Sequence, residues 1–387
     1  MSTILHLDLD AFFCAVEELH DPSLIGKAFA VGGRPEERGV VASCSYAARQ
    51  FGVRSAMPMS RALRLCPGLL VLSHHRGNYA EMSEKVMQRL HNLSPFVEQI
   101  SIDEAFVDIS GLGDPAEIAR KLQSEVREEL GLPCSVGIAP NKLVAKIATE
   151  VGKKSGRKGQ PPNALRIVPP GTEAIFLDPL PVDMLWGVGP KTGARLAEHD
   201  IKTIGDIARH SEADLARWFG ENGRDLHRHA RGVDERPIVT EYEAKSISQE
   251  TTFARDLRDD RTLERTLCEL SEQVGRRLRR ADLAGTTVKL KLRWPDFTSL
   301  TRQVTLPQPT DQDDEIYSTA LALLSKVRAR GQAVRLIGVG VSGLGVPLRQ
   351  LGLWDADAEK RRKLQDVVDE LQEKYGKKAI RRGKKQS

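Results

Sequence analysis

The segment at residues 4–10 reads ILHLDLD. Leu5, Leu7 and Leu9 fall on one side of a period-two pattern, and Ile4, His6, Asp8 and Asp10 on the other. Period two is the signature of a strand. A strand that turns three leucines one way has to be covered on that face, so the chain begins with a sheet packed on one side. The opposite face ends in two carboxylates. A second acidic pair, Asp103 and Glu104, sits in "SIDE" at the bend of a hairpin spanning residues 96–108. A regular strand would send adjacent residues to opposite faces; a bend at 101–104 lets both reach one point beside Asp8.

Three carboxylates at one point repel, and they stay ionised together only beside a cation. A ligand set of hard oxygens without His or Cys suits Mg²⁺, with substrate phosphates and water completing its shell. Two such ions about 3.5–4 Å apart activate an attacking hydroxyl and stabilise a leaving pyrophosphate. The chemistry implied is in-line phosphoryl or nucleotidyl transfer.

The 387 residues are 40% hydrophobic and 29% charged, enough for two or three cored domains. The longest apolar run, residues 336–348, is broken by four glycines and is too short for a bilayer span. Asp8 and Asp10 lie where a signal peptide needs an apolar centre, so no secretion is expected. Five cysteines with no CxxC spacing argue against a disulfide framework or a structural zinc site, and for a reducing cytosol. A net charge of +5 is modest, so a polyanion partner has to be sought in local patches. Helical spacing recurs at 11–19, 45–51, 59–65, 79–93, 116–130 and 141–151, and strands at 28–31, 40–42 and 134–138. This describes an α+β unit with an insertion after its first strand. Residues 178–232 are mostly helical. Residues 244–345 repeat strand, helix, strand, strand, helix, strand, a separate α+β domain, and a charged helix is expected at 358–375.

Four segments occur in order: "HLDLDAFFCAVE" (6–17), "RGVVASCSYAARQFGVRSAMP" (38–58), "SIDEAFVD" (101–108) and "SVGIAPNKLVAKIA" (135–148). Together they resemble the Y-family translesion DNA polymerases, in their bacterial DinB branch, and the resemblance runs to about residue 354. It implies a right-hand fold. The palm, ferredoxin-like, would be 1–10 and 77–168, with small fingers at 11–76. A helical thumb would follow at 169–232, a linker at 233–243, a little finger at 244–346, and a clamp-binding peptide with a basic tail at 347–387. It implies two Mg²⁺ ions held by Asp8, Asp103, Glu104 and the Leu9 carbonyl, with Asp10 either a ligand or a support on the strand.

The resemblance also makes Phe13 a steric gate against a 2′-hydroxyl, with Phe12 as packing. Tyr46, Arg49 and Lys153 would hold the triphosphate, and Lys154 competes with Lys153 because the loop "GKKSGRKGQPP" (152–162) is longer and more basic than the family's. Val40 and Ala42 would roof the nascent base pair; side chains this small press weakly on it, the physical route to low fidelity. No proofreading exonuclease is expected.

"LWGVGPKTGARLAEHDIKTIGDIA" (185–208) has the form of a helix-hairpin-helix, with Gly187, Gly189 and Lys191 facing a phosphate. Arg276, Arg277, Arg279, Arg280, Lys289, Lys291 and Arg293 would form the little finger's grip on the DNA backbone, reading no sequence. In "RQLGLW", Gln350, Leu351, Leu353 and Trp354 resemble a sliding-clamp-binding peptide. The partners implied are primer-template DNA, deoxynucleoside triphosphates and the bacterial clamp, for a monomeric cytoplasmic protein away from membranes. Two other classes fit the sequence less well. A noncatalytic clamp-bound adaptor would lose the carboxylates, which are present. A palm-fold nucleotide cyclase has no use for a hairpin DNA grip or a clamp peptide.

Overall fold

The computed structural model describes residues 2–156, 159–347, 367–371 and 374–376. The chain divides into two compact units, Met1–Tyr242 and Glu243–Ser387.

In the first unit, β1 (Ile4–Leu9) turns through Ala11 into α1 (Phe12–His20). Ala11 takes a left-handed conformation, φ 49°, which costs a residue with a β-carbon on the order of 1 kcal/mol. The fingers follow: β2 (Phe29–Gly32), β3 (Val41–Cys44), α2 (Tyr46–Gln50), α3 (Met59–Leu65) and β4 (Leu70–Leu72). Their three strands pair in the order β3-β2-β4 over a core that includes Val41, Val53, Met59 and Ala62.

Next come α4 (Arg76–Leu93), β5 (Val97–Gln99), β6 (Glu104–Asp108), α5 (Pro115–Leu130), β7 (Cys134–Ala139), α6 (Lys142–Lys154) and β8 (Leu165–Ile167). The palm sheet runs β5-β6-β1-β7-β8, with β1 antiparallel to both its neighbours. Leu5, Leu7 and Leu9 are buried in one core with Phe12, Val86, Leu90 and Val126. The other face is covered by α6. Asn141 caps that helix by accepting a bond from the Val144 N–H, and Gly137 lets it lie close. A β-carbon on Gly137 would run into the Ala145 carbonyl and Thr149. Sequence reading finds neither β4 nor β8: each is three residues long, too short to show a period.

The helical part is built of α7 (Glu173–Leu177), α8 (Pro190–Ala197), α9 (Ile204–Arg209), α10 (Glu212–Phe219) and α11 (Glu221–Ala230), and shares its core with the apolar face of α6. A capping box at Thr203 and Asp206 starts α9.

The second unit is β9 (Ser246–Leu257), α12 (Asp260–Arg280), β10 (Ala284–Arg293), β11 (Ser299–Thr310), α13 (Asp313–Val327) and β12 (Val334–Gly345). Its sheet runs β11-β10-β12-β9, with the two helices packed on one face. The order of elements is the one read from the sequence. Of the charged helix expected at 358–375, residues 367–371 and 374–375 are described and helical. Among the described residues no helix is long and apolar enough to cross a membrane.

Candidate active site

The register of β1 against β6 places Asp8 directly opposite Glu104, so both carboxylates leave the same face of the sheet. Two lysines from α6 stand over them. Lys153 Nζ is 2.6 Å from Asp8 Oδ2, and Lys146 Nζ is 2.5 Å from Glu104 Oε2. Burial raises the pKa of Asp8 against the opposing pull of Lys153. Burial also works against ionised Glu104, but the adjoining His6 and Asp8 and the hydrogen bond from Lys146 outweigh it and hold that carboxyl well below the usual range. Lys153 is raised: burial opposes its charge, and Asp8 and Glu150 prevail.

Asp103 is tied to β1 through its backbone, its carbonyl accepting from Leu9 N at 2.9 Å. Its side chain lines the cavity described below and accepts from Ser101 Oγ at 2.6 Å. Among the described residues, then, no three acidic, histidine or cysteine side chains converge at metal-ligand spacing. The donors nonetheless fit a hard divalent cation. They are hard carboxylate oxygens with a backbone carbonyl beside them, and burial raises Asp8 despite Lys153 at 2.6 Å. Asp10 is engaged elsewhere. It accepts from Ser135 Oγ at 2.9 Å and from Asn163 N at 3.0 Å, a support between β1, β7 and the loop before β8.

A cavity of about 200 Å³ gathers Asp8, Leu9, Phe13, Ala42, Tyr46, Arg49, Asp103 and Lys153. The turn at Ala11 aims Phe13 into it, while Phe12 is 2% exposed in the core. The Phe13 ring stacks on Tyr79 with centroids 4.5 Å apart. The Tyr79 hydroxyl donates to the buried Glu17 carboxylate, which also meets His75 Nδ1 at 2.9 Å. Ser45 caps α2 and so fixes Tyr46 and Arg49. The Arg49 guanidinium lies 4.4 Å from the centre of the Tyr46 ring and donates to the Cys44 carbonyl. Val40 is half exposed and bridges to Pro58 just outside the cavity lining. Lys154, the competitor of Lys153, is not part of that lining and meets the Met184 sulfur. Lys146 is the residue that sequence reading passes over. It lies seven positions before Lys153, two turns back on the same helical face, and that spacing was the available signal.

In the helical part, Gly187 (φ 98°) makes the turn and Gly189 caps α8, with Lys191 exposed in its first turn. In the second unit the seven expected cations divide between two surfaces. Lys289, Lys291 and Arg293 alternate with buried Val288, Leu290 and Leu292, so they stand on the outer face of the sheet. The α12 arginines lie on the helical side. Arg279 binds the Asp311 carbonyl at 2.6 Å, Asp313 at 2.9 Å and Asp369 at 2.7 Å. Arg276 also faces Asp369, and Arg277 donates to the Ser248 carbonyl. A single seven-cation face is therefore not what the structure assembles: Arg276 and Arg279 are engaged by acidic residues distant in sequence, Asp313 and Asp369. Gln350, Leu351, Leu353 and Trp354 lie outside the described residues.

A palm sheet carrying opposed carboxylates, small fingers, a hairpin-bearing helical thumb and a separate α+β unit together define a right-hand DNA polymerase. The sequence pattern of the impB/mucB/samB family matches residues 7–150, its C-terminal domain matches 244–353, and the thumb domain described for DNA polymerase-iota matches 183–234. DNA polymerase IV of Desulfatibacillum aliphaticivorans is 42% identical over 381 residues, covering 96% of this chain and 94% of that one. DNA polymerase IV of Streptomyces coelicolor is 47% identical over 349 residues, covering 88% and 71%. Among solved structures, a Y-family DNA polymerase chimera of Dbh and Dpo4 superposes with a TM-score of 0.78 at 25% identity, covering 89% of this chain and 99% of that one. An insertion ternary complex of Dbh DNA polymerase gives 0.62 at 26%, covering 89% and 99%. The chain belongs to the impB/mucB/samB family, the Y-family DNA polymerases, in the DinB branch.

Proposed function

We propose that this protein is a template-directed DNA polymerase for translesion synthesis, adding deoxynucleotides to a primer 3′-hydroxyl with release of pyrophosphate. The observation that carries this reading is the one cavity into which Asp8, Asp103, Phe13, Tyr46, Arg49 and Lys153 all face. Asp8, Asp103, Glu104 and the Leu9 carbonyl would hold two Mg²⁺ ions. Divalent metal, when bound, supplies activation of the attacking oxygen and neutralises charge on the triphosphate.

The protein's own groups do the rest. Arg49 and Tyr46 orient the phosphates, Arg by a planar fork and Tyr by a hydroxyl donor. Lys153 adds a point charge. Phe13 fills the volume that a 2′-hydroxyl would need. Val40 and Ala42 cover the nascent pair with little side-chain mass, so mismatched and damaged pairs cost less to hold. Gly187, Gly189 and Lys191 grip the duplex backbone, as do Lys289, Lys291 and Arg293. Gln350, Leu351, Leu353 and Trp354 recruit the enzyme, as a monomer, to the sliding clamp. Leu353→Ala with Trp354→Ala is expected to remove clamp stimulation and spare basal synthesis; equal loss of both would point to a folding role.

Primer extension on undamaged and lesion-bearing templates tests the whole reading. Wild type is expected to extend both, and Asp103→Ala with Glu104→Ala neither, while still binding primer-template. Extension that survives the double substitution would refute the assignment.

A further inference from the structure

Beside the catalytic cavity lies a second one of about 520 Å³. Tyr46, Arg49 and Lys153 line both. Their sizes matter, because ligand sites for small molecules run from about 300 to 1,000 Å³. The catalytic cavity alone is below that range, and a phosphate chain held by the three shared residues would stand at the mouth of the larger space. The unshared wall of that space is basic. It contributes Arg54 and Lys154 together with the amides of Gln50 and Gln160, and no acidic side chain among the described residues lines it.

Arg54 is held in place without being neutralised. Its Nη1 donates to the carbonyls of Arg49 at 2.6 Å and Val53 at 2.7 Å. Both acceptors are uncharged, so a fixed guanidinium keeps its charge for something else. Among the described residues, the Lys154 ammonium meets the Met184 sulfur and no carboxylate. Gly159 adopts φ +84°, and a β-carbon there would collide with the Gln50 amide. Gly159 thus lies close against α2 at the side of the cavity. Two cations more than the triphosphate contacts require, on a wall free of carboxylates, mark a place for further anionic charge.

We propose that this cavity continues the phosphate site past the γ-position, so that the enzyme uses deoxynucleoside 5′-tetraphosphates, with Arg54 and Lys154 holding the fourth phosphate. The proposal rests on the polymerase reading above. In the reaction the primer 3′-oxygen bonds to the α-phosphorus, and the bond from that phosphorus to the α,β-bridging oxygen breaks. Inorganic triphosphate leaves in place of pyrophosphate, and the hydroxyl proton passes to solvent.

The test is single-nucleotide incorporation on one primer-template, comparing dCTP with deoxycytidine 5′-tetraphosphate. Wild type is expected to incorporate both, with a KM for the tetraphosphate at or below that for dCTP. Arg54→Gln retains a donor for the two carbonyls and removes the charge; Gln160→Glu puts a negative charge on the far wall. Each is expected to lower kcat/KM for the tetraphosphate about tenfold or more relative to dCTP, and Arg54→Lys to restore most of it. Rejection of the tetraphosphate by wild type that incorporates dCTP would overturn the proposal, and so would equal losses on both substrates in both variants. Failure of wild type to incorporate dCTP would strike the polymerase reading instead.

Discussion

Lys153 Nζ lies 2.6 Å from Asp8 Oδ2, although Lys153 belongs to the last turn of α6 and Asp8 to the central palm strand. One ammonium thus serves a buried carboxylate and the wall that faces the nucleotide. A charge-assisted hydrogen bond to phosphate is worth about 1.5–3 kcal/mol. Lys153→Ala is therefore expected to raise the KM for the incoming nucleotide about tenfold or more in steady-state incorporation. A lowered melting temperature with unchanged KM would confine Lys153 to the support of Asp8.

Phe13 is held from behind by the Tyr79 ring, itself pinned through its hydroxyl to Glu17. A ring braced in this way is held fixed against the cavity. Phe13→Val empties the space and is expected to raise ribonucleotide incorporation about tenfold or more, since pocket-filling groups of this size set discrimination on that scale. Incorporation of deoxynucleotides should persist. Unchanged sugar selectivity would remove Phe13 from the role.

Particular residues show how far the sequence could be read. The alternation at Leu5, Leu7 and Leu9 foretold the central strand and its buried face because period two leaves a direct mark on composition. The acids of "SIDE" pointed to the same sheet end, and Glu104 does sit opposite Asp8. Asp103 was harder: the bend gives its side chain a local partner in Ser101, a short-range choice that spacing does not encode. The arginines of α12 misled for a related reason. Their charge was visible, but their partners Asp311, Asp313 and Asp369 are distant in sequence and meet them only in the fold.

Glu98 illustrates a pH-dependent contribution away from the chemistry. It is 2% exposed and takes bonds from Lys142 Nζ at 2.7 Å, Val239 N at 2.9 Å and the Tyr242 hydroxyl. Burial opposes its charge, but these three donors outweigh burial and lower its pKa. A depressed carboxyl stabilises the fold above its unfolded pKa of about 4.3 and loses that contribution as pH falls through the folded value. Glu98→Gln is expected to cost about 3 kcal/mol at pH 7, as breaking a buried pair does. The gap from wild type should narrow below about pH 4. Urea denaturation at both pH values measures it; a gap independent of pH would assign the loss to packing alone.

The division of basic residues in the second unit leads to opposite outcomes for neighbouring substitutions. Lys289 and Arg293 stand on the outer sheet face, whereas Arg279 is 9% exposed and bound to Asp313 and Asp369. A cation that neutralises a DNA phosphate contributes about −0.9 to the slope of log K against log salt. Lys289→Ala and Arg293→Ala are each expected to make that slope shallower by about 0.9 and to leave the melting temperature unchanged. Arg279→Ala should leave the slope alone and cost about 3 kcal/mol of stability, because it strands the buried Asp313 carboxylate and leaves the half-buried Asp369 without that partner. Titration of a labelled primer-template over a range of KCl concentrations, beside thermal melts, separates the two behaviours. A shallower slope in Arg279→Ala with undiminished stability would place that guanidinium on DNA and dissolve the distinction between the two faces.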